Sequence, residues 1–401
     1  MLKFTLLVNR ELEIKDLYLA LVNYILSKQK EEELIIRVND INLDDTKYEQ
    51  ISLDILKKFS IDTTHLYYQS KNLKIYQQFA QRLFQEQKAY LCFCQNKRDC
   101  NCLNLTQEDI QTYVQNNKKY SIYLKAPKDK IEFVDILKNR VTFNPNEIGD
   151  IKILDFDKNP TYNFAEAIDN MNQFITTVVN EETKLINSVK QAYILKLLNY
   201  NYNINYIHLP QLLNGNITIL ELFKDGFLPD AIINYLFKFS FNKEVFYLPE
   251  LIEKFDIFKI EQICFDKEEL KRLNQKHLKS MDSKKLSSIF GFADSDIGEF
   301  LKLFLDEVYT FNQLEPIFKS TFSKKVCNSE AKELSDIILK SPMIDNYDEF
   351  VEYLIKNSNF SKDKVVKYLK FLLIGNLEYN IEVSKLYKYL KSYILEVARC
   401  Q

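Results

Sequence analysis

Four of the seven cysteines, Cys92, Cys94, Cys100 and Cys102, fall within eleven residues as CxCxxxxxCxC. Two CxC arms joined by the turn-like Gln95-Asn96-Lys97-Arg98-Asp99 could supply the four soft ligands that tetrahedral zinc takes. With no coordination position left open, such a metal would be structural. Four reduced thiols packed against a sheet is the plainer alternative, and both readings stand. The opening MLKFTLLVNRELEI has only a short apolar run before Asn9, Arg10 and Glu11, and nowhere do eighteen apolar residues run together. A soluble, cytoplasmic protein is therefore expected, with free thiols or a metal rather than a disulfide framework.

A second group lies near the C-terminus, where Lys362, Lys364, Lys367 and Lys370, then Lys385, Lys388 and Lys391, alternate with Tyr368, Tyr387, Tyr389 and Tyr393. Lysine attracts phosphate without regard to sequence and tyrosine offers a stacking face, so the pattern is compatible with RNA. A solvated lysine-rich helix face would look the same. The three histidines, His65, His208 and His277, are far apart and form no HExxH; His65 and His208 fall on predicted strands and read as satisfied structural groups. Six scattered glycines permit neither GxGxxG nor a P-loop. A formal charge of −2 gives no global field for nucleic acid or membrane, so neither DNA nor a membrane is expected as a partner.

The elements that must position these residues divide the chain. At 401 residues, 46% hydrophobic and 27% charged, it has room for about two or three domains. Strand-like runs at Phe4–Val8, Leu34–Val38 and His65–Gln69 alternate with helices starting near Asp16, Leu43 and Lys71, which implies βαβ units and a parallel sheet. From Ala89 to about Pro160 the rhythm breaks, with short extended runs at Ser121–Lys125 and Ile131–Asp135. It resumes with a helix at Tyr162–Asn170, a strand at Phe174–Val179, a helix at Glu181–Asn199 and a strand at Asn205–Leu209. Beyond about Asp230 the apolar spacing is helical. The expected class is α/β plus all-α, a Rossmann-type parallel sheet carrying an insertion and followed by a helical domain.

The segments PTYNFAEAIDNM, YIHLPQLLN with GFLPDAIINYL, and LNQKHLKSMDSKKLSSIFGFADSDIGEFLKLFLDEV together resemble bacterial glutamyl-tRNA synthetases, class I enzymes with a Rossmann-type catalytic domain. The resemblance spans nearly the whole chain. At its start, Phe4, Leu12, Ile14, Leu17, Ala20, Leu21, Asn23, Tyr24 and Lys28 match the family opening in register. It implies catalytic-like halves at 1–88 and 161–240, a Cys-bearing insertion at 89–160, a stem-contact-like region at 241–290 and an anticodon-binding-like helical domain at 291–401. In the family the insertion often carries zinc, opening with CxC but with a longer spacer, and the C-terminal helices meet tRNA; here Lys364, Lys367, Lys385, Lys388 and Lys391 would face the RNA.

What departs from the family is the chemistry. The four positions of its HIGH signature are Glu13, Ile14, Lys15 and Asp16, which put acids where a triphosphate would lie and a long side chain where backbone must approach adenine. Only eleven residues, Gly215 to Asp225, occupy the place of the KMSKR loop, and their one lysine is Lys224. In the glutamate pocket, Lys3, Leu7 and Asn39 replace Arg, Ser and Glu, and Asn180, Glu181, Glu182, Thr183 and Lys184 replace RGEDH. An Arg that binds carboxylate in bidentate fashion does not exchange freely for Asn. Only Tyr162 and Asn163 of the YNFA motif remain as a residual ligand pocket.

Three separate parts of one reaction are lost while packing positions persist. The sequence therefore points to a synthetase-like protein without adenylation activity, for which ATP is not expected, acting with tRNA, a functional synthetase or another protein. An active glutamate–tRNA ligase is the main alternative. Another is a repurposed cleft using the carboxylates of Glu13, Asp16, Asp40 and Asp44 on a different substrate.

Overall fold

The computed structural model describes residues 1–401 except Asn42, Asp44, Asp45, residues 96–99 and Asn242. Asp44 and most of the turn between the two CxC arms therefore lie outside the described residues. Strands run β1 (Leu2–Leu7), β2 (Leu34–Asn39), β3 (Leu66–Tyr68), β4 (Ala89–Cys92), β5 (Ser121–Leu124), β6 (Ile131–Asp135), β7 (Asn139–Phe143), β8 (Ile151–Leu154), β9 (Thr177–Glu181) and β10 (Asn205–Leu209). The first helices are α1 (Ile14–Gln29), α2 (Tyr48–Lys58), α3 (Leu73–Gln85), α4 (Gln107–Gln115), α5 (Pro145–Ile148), α6 (Tyr162–Asn172), α7 (Leu185–Leu197), α8 (Ile219–Lys224), α9 (Pro229–Leu236) and α10 (Leu248–Lys254). Then come α11 (Lys267–Ser280), α12 (Ser283–Ile289), α13 (Ser295–Lys302), α14 (Phe311–Phe322), α15 (Ser329–Leu339), α16 (Tyr347–Ser358), α17 (Lys362–Ile374), α18 (Val383–Leu390) and α19 (Ile394–Val397).

Two compact units result. The first, residues 1–220 with 248–265, is built on a seven-stranded sheet in the order β3-β2-β1-β9-β10-β6-β7. Its first six members run parallel, β1 pairing β2 from Leu2↔Leu34 to Leu7↔Asn39 and β9 at Leu2↔Thr177. Strands with helices on both faces read as largely apolar runs, as LKFTLL and LIIRVN do; the polar Lys3 and Arg37, and Thr177 of TVVNE, are buried among them. The predicted Rossmann-type sheet is present.

The stretch expected as one insertion serves two sheets. β4, β5 and β8 form an antiparallel sheet around Tyr90, Leu91, Ile122, Leu124 and Ile153. The hairpin β6–β7 joins the main sheet instead, through Tyr206↔Asp135. Short strands edged by Lys, Asp and Asn carry too little apolar periodicity to reveal which sheet they enter.

The second unit, residues 221–247 with 266–401, is helical throughout its named elements. Its core gathers Phe300, Phe304, Leu314, Leu334, Phe350, Leu369 and Leu386. Gly298 on α13 lies so close to Ser283 that an added Cβ would stand 1.9 Å from the Ser283 carbonyl oxygen, so glycine is what lets α12 and α13 meet. Cys327 and Cys400 are joined in a disulfide, contrary to the expectation of thiols or metal throughout. They are 73 residues apart, and tertiary packing rather than spacing brings them together. Among the described residues no helix is long and apolar enough to cross a membrane.

Candidate functional site

A cavity of about 390 Å³ opens beside the C-terminal ends of β1 and β9, where open parallel sheets place their ligands. Its wall carries Lys3 and Thr5 of β1, Arg10 before α1, Lys15 and Asp16 at its start, Tyr162 of α6, Asn180 and Glu181 at the end of β9, and Lys184 beyond it.

The residues at the HIGH positions bind one another. Glu13 stands just before α1, Ile14 is fully buried, and the Asp16 carboxylate accepts the Glu13 N–H at 3.0 Å, closing the helix N-terminus with the chain's own acid. Arg10 donates both guanidinium nitrogens to Asp16 at 2.7 and 2.9 Å and lies 3.2 Å from Glu13. Lys15 reaches the other Glu13 oxygen at 2.6 Å and donates to Asn216 at 3.0 Å. Nothing in the spacing marked Arg10 as a cleft residue.

Beneath the cavity floor lies the group that sequence reasoning missed altogether, Glu166. The Lys3 ammonium is 2.6 Å from Glu166 Oε2, and Arg37 donates to the same oxygen at 3.0 Å; all three side chains are buried. Burial raises the pKa of the carboxyl, but Arg37 and Lys3 outweigh it and hold it at about 2, so Glu166 is ionised at neutral pH. Arg37 also donates to Asn170 and Gln173. Asp169, one turn further along α6, is pushed upward by burial while accepting from Tyr67, Gln69 and Tyr76.

Of the expected residual pair, Tyr162 lines the cavity at 38% exposure. Asn163 stands behind the wall, donating to Asn187 and accepting from Gln191, each at 3.2 Å. Glu181 faces the cavity with its pKa raised by burial. Of the described carboxylates proposed for a repurposed cleft, Asp16 lines the cavity, whereas Asp40 accepts from the Ser70 N–H and hydroxyl at 2.8 and 2.5 Å and is absent from its wall.

His208 sits fully buried between Asp135 Oδ2 at 2.7 Å and Ser188 Oγ at 2.8 Å. The order Ser-His-Asp has the form of a nucleophilic triad, but all three side chains are buried and none borders the cavity. It is a structural tie between α7, β10 and β6. His65 is exposed just before β3.

The cysteine cluster is assembled. The four Sγ atoms lie within 4.8 Å of one another, with Cys92–Cys100 at 3.5 Å and Cys94–Cys102 at 3.4 Å, and the Phe93 N–H points at Cys102 Sγ. Zinc–sulfur bonds of about 2.3 Å in a tetrahedron require sulfur–sulfur edges of about 3.8 Å, so the donor set fits a metal ion with little adjustment.

The C-terminal lysines are divided between α17, α18 and the residue just after α18, Lys391. Lys364 pairs with Glu330 at 2.5 Å, Lys391 with Asp345 at 2.7 Å and Lys385 with Glu382 at 3.4 Å. Lys367 and Lys388 are exposed, the latter 4.9 Å from the Tyr389 ring centre. Tyr387 faces inward and stacks on Phe350, and Tyr368 bonds Glu330, so fewer rings are free for bases than the spacing suggested.

Residues 9–280 match the family described as tRNA synthetases class I (E and Q), catalytic domain. Glutamate–tRNA ligase 2 of Sulfurovum sp. (strain NBC37-1) is 36% identical over 99% of this chain and 100% of its own length. Glutamate–tRNA ligase 2 of Sulfurimonas denitrificans is 33% identical over the whole of both chains. The crystal structure of a glutamate tRNA ligase from Elizabethkingia meningosepticum, in complex with its amino acid, superposes with a TM-score of 0.80 over 99% of this chain and 98% of that one; at 19% identity it speaks for the fold.

Proposed function

The chain belongs to the class I tRNA synthetases of the glutamate and glutamine type, and from that premise we propose that it works with tRNA as an accessory or regulatory factor without activating glutamate. The observation that carries this reading is the charge state of the cleft. Of the four cations on its wall, three are ion-paired to carboxylates of the same chain, Lys3 with Glu166, Arg10 with Asp16 and Lys15 with Glu13. A triphosphate or a substrate carboxylate would have to displace those partners, one of them buried and held ionised. Lys184 is the remaining cation, and Glu181 stands beside it as a repulsive charge.

Family membership makes tRNA the expected partner, contacted through the helical unit by exposed cations such as Lys367 and Lys388, or reached through a functional synthetase. The cysteine cluster is assigned a structural zinc through Cys92, Cys94, Cys100 and Cys102, which would fasten the β4 end of the small sheet. Glutamate-dependent ATP–pyrophosphate exchange, assayed with and without tRNA, tests the reading. No turnover above a protein-free control is expected. Turnover that co-purifies with the chain would restore the glutamate–tRNA ligase reading that the relatives' names favour.

A further inference from the structure

Neither the cleft nor the lysine-bearing helices use Cys327 and Cys400, whose bond ties the loop after α14 to the last residues of the chain. That tail is held at several points. α19 packs on α14, α15 and α17, with Val397 and Ala398 fully buried. The Lys325 N–H donates to the Arg399 carbonyl and the Gln401 N–H to the Lys325 carbonyl, both at 2.9 Å. Ser335 donates its hydroxyl to the Ala398 carbonyl at 2.5 Å. The Lys325 ammonium, 4% exposed, bonds the carbonyls of Thr321 and Val397 and has no carboxylate partner among the described residues. Burial lowers its pKa to about 8.

Without the disulfide, residues 399–401 beyond the packed Val397 and Ala398 are kept by a few hydrogen bonds beside a desolvated cation. Segments held by so few bonds open locally at low cost. The cysteines are half-buried and flanked by exposed Val326, Asn328 and Arg399, within reach of a small thiol.

We propose that the Cys327–Cys400 bond is a reversible latch on the last turn of the chain, opened by a low-molecular-weight thiol and closed by that thiol's disulfide. On opening, one reductant thiolate attacks a latch sulfur to give a mixed disulfide, and a second resolves it. The protein S–S bond breaks, an S–S bond forms between the two reductant sulfurs, and both cysteines take up protons as thiols; two electrons come from the reductant. Closing reverses each step. In the open form the tail frays and uncovers the apolar surface beneath Val397 and Ala398.

The experiment equilibrates the native full chain in glutathione buffers of graded ratio, traps thiols by alkylation and maps peptides by mass spectrometry, with hydrogen exchange followed in parallel. The two cysteine peptides should pass from joined to alkylated across the series while the protein stays folded. The amides of Lys325 and Gln401 should exchange roughly tenfold faster or more in the open form, and Cys400→Ser should show the fast rate at every ratio. The latch is refuted if the bond forms at no ratio, if it yields only after denaturation, or if tail exchange is the same in both forms and in Cys400→Ser.

Discussion

Lys3 Nζ lies 2.6 Å from Glu166 Oε2, a contact between the first strand and a helix 163 residues later, and both side chains are closed to solvent. The cavity that borders Lys3 is thereby supplied from within with the anion a ligand would otherwise bring.

Replacing Glu166 by Ala should leave Lys3 buried without its carboxylate partner and Arg37 with only Asp169, 3.9 Å away. A loss of about 3–5 kcal/mol is expected, since breaking a buried pair strands the other charge. Acetate should then raise the melting temperature of Glu166→Ala and leave the parent chain unchanged when each is compared with the same concentration of chloride. Equal response of the two proteins would show that the cation site is not reachable from the cavity.

The same pair sets an acid limit. Glu166 has its folded-state pKa lowered from 4.5 to about 2, so its contribution is complete above about pH 4.5 and is lost as the pH falls toward 2. Asp169, shifted upward by burial, has the opposite slope. The stability difference between the parent chain and Glu166→Gln, measured by urea unfolding at each pH, should therefore shrink across that window. A difference that stays constant from pH 5 to pH 2 would contradict the pairing.

For the cysteine cluster, elemental analysis of protein purified under reducing conditions should find about one zinc per chain. Cys94→Ser should fall below half of that, and chelation should lower the melting temperature of the parent. Protein that is metal-free yet equally stable would leave four packed thiols.

RNA binding, where measured, should depend on the lysines in an order set by their present partners. Lys367→Glu and Lys388→Glu should weaken binding and flatten its salt dependence, whereas Lys364 and Lys391 already neutralise Glu330 and Asp345 and should matter less. Glu13→Ala should change little. The reverse ranking, with Glu13→Ala strengthening binding most, would move the RNA to the cleft.

How much was legible follows from which forces are local. The run Asn205–Leu209 is read from sequence with the bounds that β10 has, and Leu34–Val38 differs from β2 by one residue, because β-branched and aromatic runs bounded by polar residues specify strands directly. Glu166 escaped notice although its signal was present: it sits among Phe164, Ala165, Ala167 and Ile168 on a helix buried on that face, while Lys3 and Arg37 interrupt strands that are otherwise apolar. Three charges in apolar settings must find one another, yet nothing in their spacing says which pairs with which. The Cys327–Cys400 bond, across 73 residues, is likewise a product of tertiary folding.

The sheet order also bears on how the chain is made. β1 lies between β2 and β9, and Thr177, its partner in β9, comes 175 residues after Leu2. At roughly 5–20 residues per second, a ribosome takes on the order of ten to thirty seconds to deliver it. Through that interval β1–β2–β3 can pair while the far edge of β1 stays open, a bare strand template of the kind that recruits wrong partners. Newly emerging chain is therefore open to wrong strand pairing until β9 arrives, and a pause in translation between β8 and β9 would lengthen the exposure, whereas one after β10 would not.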